Sequence, residues 1–287
     1  VGGAGGGYTP HCASVHPARL VRGLARAAER AGVTVHEGTR VTGIAAGAVS
    51  TPTGRVRADT VLVCTEGYTA RLPGEKRRML PLYSLMVATS PLPAEVWERI
   101  GLAERETFSD GRHLLIYGQR TADDRFAFGG RGAPYHFGSA ITDAYDRDRR
   151  VAEELAAVLR QLFPALTDAA IDHHWGGPLG VPRDWAASVT FDRSRGIGTA
   201  GGYVGDGVST TNLAGRTLAD LVLGHDTERV RLPWVGHRSR DWEPEPLRWI
   251  GVNTGRVLAA TLDRREARRR RPSPLLEGLF DRVTGGH

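Results

Sequence analysis

The chain has 287 residues, 40% of them hydrophobic, which is enough to bury a full core in one large domain or two smaller ones. Its net charge of +6 comes mainly from residues 264–271, where six arginines and one glutamate predict a solvated tail rather than a specific nucleic-acid site. Two cysteines are too few for a disulfide framework, and their spacing fits no metal site. No apolar stretch reaches the roughly 18–20 residues of a membrane span, so we expect a cytoplasmic protein.

A helix is the first strong pattern in the chain. The preceding glycine cluster at residues 2–7 fails the G-x-G-x-x-G spacing of a phosphate-binding loop in every register, and we interpret it as a flexible lead-in. Pro17 suits a first helical position, and Gly32 suits a stop. Between them, small and apolar residues recur at helical spacing: Leu20, Leu24, Ala27, Ala28 and Ala31.

Short strands are predicted next. We expect them at Val33–Glu37, Thr39–Ile44 and Ala48–Thr51. The continuously apolar run Val61–Thr65 predicts a central parallel strand covered on both faces, with Cys64 buried. The loop that follows it, at residues 66–68, lies at the carboxyl end of a strand, where ligands bind in open α/β sheets.

Residues 75–187 have the pattern of a second domain. Strands are predicted at Tyr83–Ala88, His113–Tyr117 and Arg125–Phe128, the last two joined by an antiparallel connection. A helix is predicted from Asp143 to Phe163, because Val151, Leu155, Leu159 and Leu162 share one face. We therefore predict an antiparallel sheet with a covering helix, inserted between two parts of the first domain.

The stretch Gly198–Gly224 is predicted to form a strand, a glycine-rich loop and a helix. Glycines in the loop allow the backbone to approach a flat ligand closely. The helix is expected to open on Ser209–Thr211 with side-chain capping and to end at Gly224. Its N-terminus would aim free N–H groups at the ligand. The literal G-x-G-x-x-G match at Gly196–Gly201 is rejected, because it runs into a strand rather than a helix.

Six stretches of sequence, taken in their order and spacing, carry a family resemblance: His16–Leu24, Gly38–Ile44, Ala58–Tyr68, Gly129–Pro134, His174–Gly177 and Gly201–Gly207. They resemble the D-amino-acid-oxidase/glycine-oxidase (DAO) superfamily of FAD-dependent oxidoreductases. The superfamily's N-terminal strand, glycine fingerprint and ribose-binding acidic residue have no counterpart in this sequence.

The resemblance implies a mixed α/β (α+β) fold in three parts. Residues 1–74 and 188–236 would form a truncated, Rossmann-like FAD-binding domain without its first βαβ unit. Residues 75–187 would form the inserted substrate domain. A basic C-terminal tail is expected at residues 237–287, with a helix from Pro246 to Arg271 and a short amphipathic piece from Leu275 to Val283.

The resemblance also implies FAD as the cofactor. The backbone at Val41 would contact the adenine, the loop at residues 65–67 the pyrophosphate, and the glycine-rich loop the pyrimidine end of the flavin. The implied cofactor residues are Val41, Thr65, Glu66, Gly67, Gly202, Val204, Gly205, Asp206, Gly207, Val208, Ser209 and Thr210. Asp206 could instead only fix its own turn.

Arginine is the natural anchor for a substrate carboxylate, because its guanidinium forks onto both oxygens. Arg131 is the first candidate and Arg183 the second, although either could be an ordinary structural arginine. Trp175 is a candidate wall of the substrate pocket or, alternatively, a core aromatic residue. His173 and His174 are interpreted as structural, since neighbours on a strand point to opposite faces.

We therefore expect an FAD-dependent oxidoreductase that oxidises a C–N bond of an amine, amino acid or N-methyl compound by hydride transfer to flavin. The expected partner is a small amine or amino acid, with no specific nucleic acid and no membrane. The alternative is a non-catalytic remnant of such an enzyme, which binds a small molecule or a partner without flavin. A nucleic-acid binder that uses the basic tail is a third hypothesis.

Overall fold

The computed structural model describes residues 5–132 and 134–268, together with residues 274, 276, 278 and 280. Its helices and strands are α1 (Pro17–Arg30), β1 (Gly43–Ala45), β2 (Ala48–Thr51), β3 (Gly54–Arg57), β4 (Val61–Val63), β5 (Leu80–Thr89), α2 (Ala94–Ile100), β6 (Phe108–Ser109), β7 (Ile116–Arg120), β8 (Phe126–Arg131), α3 (Arg149–Leu162), β9 (Ile171–Val181), β10 (Ser188–Asp192), β11 (Ile197–Gly201), α4 (Gly207–Leu223) and α5 (Leu247–Ala267). The start of the glycine cluster, the end of the arginine run and most of the piece predicted at 275–283 lie outside the described residues. Within the described part, no helix is both long and apolar enough to cross a membrane.

A three-stranded sheet carries the predicted strand–loop–helix unit. β10 pairs antiparallel with β11, and β11 pairs parallel with β4. α4 covers one face, where Val189 and Ala200 of the strands pack with Ala214 and Leu218 of the helix. α4 stops at Gly224, whose φ of 76° is the left-handed conformation expected there.

The strand at Val61–Thr65 is parallel, as predicted, but the expectation that it is central and covered on both faces is wrong. β4 lies at the end of its sheet, and no strand among the described residues pairs with its second edge. Leu62 is 47% exposed, and Cys64 is exposed rather than buried. An apolar run shows that a strand can be buried, but its actual burial depends on the elements that pack against it.

The N-terminal part consists of α1 and the antiparallel meander β1-β2-β3. α1 has the predicted limits, but none of its residues is buried. Residues 33–37 form no strand, and Val33 and Val35 are exposed, because nothing in the described structure pairs with their backbone. The strand predicted at Thr39–Ile44 is reduced to β1, which extends only as far as it pairs with β2.

The larger sheet has five strands in the order β6-β7-β8-β5-β9, and every neighbouring pair is antiparallel. α3 packs on one face, so that Leu155 and Leu159 join Val87, Phe126 and Phe128 in the main hydrophobic core. The predicted antiparallel sheet with a covering helix is confirmed, and so is the mixed α/β fold class.

Two boundaries in this sheet differ from prediction for identifiable reasons. The helix predicted from Asp143 begins only at Arg149, because the Asp148 carboxylate accepts the N–H groups of Arg150 and Val151 as its cap. The strand predicted from His113 begins only at Ile116. There, the N–H groups of His113 and Leu114 donate to the Asp263 carboxylate of α5 instead of to a neighbouring strand.

The C-terminal segment is helical, as predicted, and part of it is tied to the larger sheet. The Trp242 indole donates to the Val181 carbonyl at 2.8 Å, and the Asn253 amide donates to the Tyr135 carbonyl at 3.0 Å. Leu262 is buried as well. The segment is therefore bonded to β9 at Trp242 and to the residues that follow β8 at Asn253, while the three-part domain division stays a prediction.

Leu159→Ala tests the core between α3 and the sheet. Leu159 is 1% exposed, so its truncation leaves a cavity, and we expect the free energy of unfolding in urea to fall by about 2–5 kcal/mol. Leu223→Ala is the matched control, because Leu223 is 67% exposed at the end of α4 and should change stability by less than about 0.5 kcal/mol. Equal effects of the two substitutions would contradict this placement of the core.

Candidate functional site

Residues 202–210, hereafter the glycine loop, connect β11 to α4. Three of its residues lie in the left-handed region: Gly202 at a φ of 81°, Val204 at 54° and Gly205 at 105°. The conformation is unfavourable for a β-branched residue such as Val204, so the surrounding structure must hold it there. Strained backbone of this kind is concentrated at ligand-binding sites.

The glycine loop is buried at its start and open at its end. Gly202 and Val204 are buried, whereas the later residues Gly205, Asp206, Val208 and Ser209 are exposed. The loop therefore leaves its second half accessible to a flat ligand, which is the condition that the sequence interpretation requires.

α4 begins at Gly207, earlier than the predicted start at Ser209, and the predicted capping is wrong. The Thr210 and Thr211 hydroxyls donate back to the carbonyls of Asp206 and Gly207 instead of accepting from free N–H groups. Asp206 is the N-cap residue but makes no side-chain capping bond, so its side chain does not fix the turn. With no acidic residue in the first turn, the positive end of the helix suits a ligand that carries or gains negative charge.

The Val204 side chain anchors the glycine loop to the larger sheet. It is buried in one cluster with Leu80 of β5, Val181 of β9 and the Trp242 ring. Because its side chain is buried in this cluster, the Val204 side chain is not available to a cofactor. The open half of the loop consequently starts beside the sheet.

The sheet has an open face, which we define as the face opposite α3. Tyr83, Leu85 and Val87 point into the α3 core, and strand residues alternate between faces, so Leu80, Ser84 and Met86 belong to the open face. The strand register adds their partners on the other strands: Tyr117, Gly129, Trp175 and Gly177, together with the register position of Arg131. The Val204 anchor point and the polar residues therefore share one face.

Tyr117 and Ser84 form a polar centre on the open face, with 2.9 Å between their hydroxyl oxygens. The Tyr117 ring lies over Gly129, where a Cβ would come within 2.6 Å of the ring. A glycine at this position therefore gives the tyrosine room to reach Ser84. The sequence interpretation missed this pair, although a serine within the apolar run 80–89 and a glycine in the neighbouring strand were available signals.

The two predicted substrate residues come together on the sheet. Arg131 pairs with Ser84, and Trp175 pairs with Met86, so both positions lie next to the Tyr117–Ser84 pair in the strand register. Trp175 is 40% exposed, which is unlike a core aromatic residue.

Arg183, the second candidate anchor, is held elsewhere. Its Nε donates to both oxygens of the Glu243 carboxylate, at 3.1 and 3.2 Å, and its guanidinium lies over the Trp242 ring. This geometry indicates a structural arginine. His173 and His174 are both exposed on β9, so neither is an interior structural histidine.

The predicted pyrophosphate residues lie beside the start of the glycine loop. Thr65 and Thr69 are hydrogen-bonded through their hydroxyls at 2.8 Å. The Glu66 carboxylate turns inward and accepts the N–H groups of Gly202 and Tyr203, at 2.8 and 3.1 Å. Burial raises the pKa of the Glu66 carboxyl, and hydrogen bonds from the backbone oppose that shift. Val41 lies just before the first strand of the meander sheet.

Two other features of the described structure resemble binding sites. His113, Asp263 and Glu266 place their ligand atoms within 4.8 Å of one another, but both Asp263 oxygens already accept backbone N–H groups. A cavity of about 320 Å³ lies against the three-stranded sheet, with Arg78, Thr190 and Thr199 in its lining. Thr190 and Thr199 bond to each other, at 2.7 Å. The Asp263 oxygens and the two threonine hydroxyls thus already have partners within the protein.

A family model described as FAD dependent oxidoreductase, the DAO family, matches residues 2–221. The chain belongs to this family. The predicted resemblance is thereby confirmed, and family membership identifies FAD as the cofactor. The glycine loop fits that cofactor, because it combines an open turn with a helix whose N-cap side chain makes no capping bond and whose first turn has no acidic residue.

The chain is similar to several named relatives. It is 32% identical to a probable oxidoreductase OrdL of Rhizobium meliloti (strain 1021), with 75% of this chain and 48% of that protein aligned. It is 31% identical to a gamma-glutamylputrescine oxidoreductase of Escherichia coli (strain K12), over 75% and 49% of the two chains. The chain therefore spans about half the length of these curated relatives.

Solved structures share the fold. A glycine oxidase from Geobacillus kaustophilus superposes with a TM-score of 0.62 at 23% identity, covering 77% of this chain and 58% of that one. An L-proline dehydrogenase from P. horikoshii superposes with a TM-score of 0.61 at 18% identity, covering 74% and 56%.

Gly202→Ala tests the start of the glycine loop. A Cβ at Gly202 would lie 2.6 Å from the Pro182 side chain and would require a left-handed alanine, so we expect unfolding to become easier by at least about 1–2 kcal/mol. Gly215→Ala is the control: it lies inside α4 with nothing within 4 Å, and alanine favours a helix by up to about 1 kcal/mol. Urea denaturation of both variants gives the comparison. A Gly202→Ala protein as stable as Gly215→Ala would disprove the described loop geometry.

Proposed function

We propose that the protein takes part in the FAD-dependent oxidation of a C–N bond of an amine, amino acid or N-methyl compound. The observation that carries the proposal is the burial of Val204 in one hydrophobic cluster with Leu80 and Val181, which brings the glycine loop to the open face of the five-stranded sheet. A loop suited to a flavin and a sheet face with polar side chains thus adjoin each other.

The glycine loop would hold the pyrimidine end of FAD through its backbone. Its exposed half and the first turn of α4 offer N–H groups where the reduced cofactor would gain negative charge. Bound FAD supplies the two-electron oxidant, and the residues of this chain supply orientation around it.

The open face would bind the substrate. Arg131 is the proposed anchor for a substrate carboxylate, and Trp175 and Tyr117 would form the pocket wall. A substrate with a neutral nitrogen needs no dedicated base for hydride transfer, so the required contributions are anchoring and exclusion of water. Similarity to proteins named glycine oxidase, L-proline dehydrogenase and gamma-glutamylputrescine oxidoreductase supports this substrate class.

The nucleotide half of the cofactor would require a further parallel strand–helix unit beside β4. The second edge of β4 has no partner in the described structure, and Leu62 next to it is exposed. Leu20, Val21 and Leu24 of α1 are likewise exposed, so an apolar helix face and a strand edge are both available to such a unit. The same open surface favours the second candidate function, a remnant that binds a partner or small molecule without flavin.

The visible spectrum of the purified protein with added FAD distinguishes these two functions. We expect the chain to give a bound-flavin spectrum after FAD is added. Protein that stays colourless would contradict the oxidoreductase proposal and favour the remnant.

Arg131→Ala tests the substrate anchor in the flavin-loaded protein. Loss of a charge-assisted pair should lower kcat/KM for a carboxylate-bearing amino acid by about 10- to 100-fold, largely through KM. An amine that lacks the carboxylate should be oxidised as in the wild type. Arg149→Ala, which removes an exposed arginine at the start of α3, is the matched control and should change neither substrate. An equal loss with both substrates would show that Arg131 does not act as the anchor.

A further inference from the structure

Glu66 lies in a slot whose walls are glycine backbone. A Cβ at Gly180 would come within 2.8 Å of Glu66 Oε2, and a Cβ at Gly201 would come within 2.9 Å of the same oxygen. The next residue is equally confined, since a Cβ at Gly67 would lie 2.5 Å from the Pro178 carbonyl oxygen. β9 and β11 thus leave space for one carboxylate and for little else.

The carboxylate in this slot binds two consecutive peptide groups. Oε2 accepts the N–H of Gly202 at 2.8 Å, and Oε1 accepts the N–H of Tyr203 at 3.1 Å. Bonds from both oxygens of one rigid group fix the orientation of both peptide planes. These planes begin the glycine loop, immediately before the strained residue Val204.

A glutamate at this position has a cost in the folded chain. Its φ of 44° lies in the left-handed region, which glycine or asparagine adopts more easily. Burial of the carboxyl is also unfavourable, and burial is the main cause of its raised pKa. The hydrogen bonds that the Glu66 carboxylate accepts from the Gly202 and Tyr203 amides must therefore offset these two costs.

The direction of the side chain separates two possible roles. The family resemblance places residues 65–67 beside the cofactor pyrophosphate, where a carboxylate directed at the phosphates would repel them. The Glu66 oxygens are directed instead at the amides of the glycine loop.

We propose that Glu66 is a positioning residue, whose carboxylate fixes the turn at Gly202–Tyr203 against β9 and thereby sets the geometry of the loop that receives the flavin. The flavin part of this proposal rests on the proposed function. The hold on the turn can be measured without any cofactor.

Glu66→Gln is the decisive variant, because it keeps the shape of the side chain but offers only one acceptor oxygen. The amide nitrogen of glutamine would face an N–H donor, so one of the two peptide groups loses its partner. Glu98→Gln makes the same chemical change at an exposed position on α2 and is the matched control. We expect hydrogen exchange at the Gly202 and Tyr203 amides to accelerate at least about tenfold in Glu66→Gln and to stay unchanged in Glu98→Gln.

The wild-type chain provides a second measurement that no folding defect can affect. When the pH is lowered, the NMR signals of the Gly202 and Tyr203 amides should shift together as the Glu66 carboxyl takes up a proton. This shift should be absent from Glu66→Gln. The Tyr203 hydroxyl cannot cause this shift: burial, together with the nearby Cys64 and Glu66, raises its pKa to about 12. Amides that neither titrate in the wild type nor change exchange in the variant would overturn the proposal.

FAD affinity then tests whether the held turn matters for the cofactor. The dissociation constant for FAD should rise at least about tenfold in Glu66→Gln and stay within about twofold in Glu98→Gln. Responding amides with an unchanged FAD affinity would overturn the positioning role. If the two amides change as expected but the wild type binds no flavin, the proposed function fails. The part of the proposal in which the Glu66 carboxylate fixes the turn at Gly202–Tyr203 is then still supported.

Discussion

The burial of Val204 in one cluster with Leu80 and Val181 is the packing on which the proposed site depends. A left-handed valine costs roughly 1–2 kcal/mol, whereas full burial of its side chain contributes about 1.5–3 kcal/mol. Burial of the side chain is therefore of the size needed to offset the backbone strain. The glycine loop is held at its start by this contact and by the Glu66 carboxylate, so that its second half stays open without losing its shape.

In the proposed function, the chemistry therefore lies between two sheets rather than within either one. The three-stranded sheet supplies the loop and the N-terminus of α4, while the five-stranded sheet supplies the face with Tyr117, Ser84 and Trp175. Along β5, Ser84 is four residues beyond Leu80, which corresponds to about 13 Å of extended strand. A flat ligand that rests on the loop can therefore extend beneath the polar residues of the sheet.

The sequence predicted those elements well whose ends are fixed by residues within or beside the element. Pro17 and Gly32 bound α1, Gly224 ends α4, and the apolar spacing of α3 matches its buried face. Elements that need a distant partner were predicted less well. Residues 33–37 have the composition of a strand, but a strand forms only beside another.

The same distinction holds for the site. The glycine loop was recognisable because its residue types limit its conformation, and the strand register brings Arg131 and Trp175 to one face. The Tyr117–Ser84 pair was missed, because it depends on a register between strands that are far apart in sequence. The inward turn of Glu66 likewise follows from glycines on β9 and β11, which no local pattern connects.

The central claim is that one flavin contacts the glycine loop and the open face together. Its most direct test is a titration of isotope-labelled protein with FAD, followed by backbone amide signals and the Trp175 indole signal. We predict that signals of residues 205–210 and of the Trp175 indole shift together with one dissociation constant. Shifts confined to other surfaces, or loop shifts with an unchanged Trp175, would contradict it.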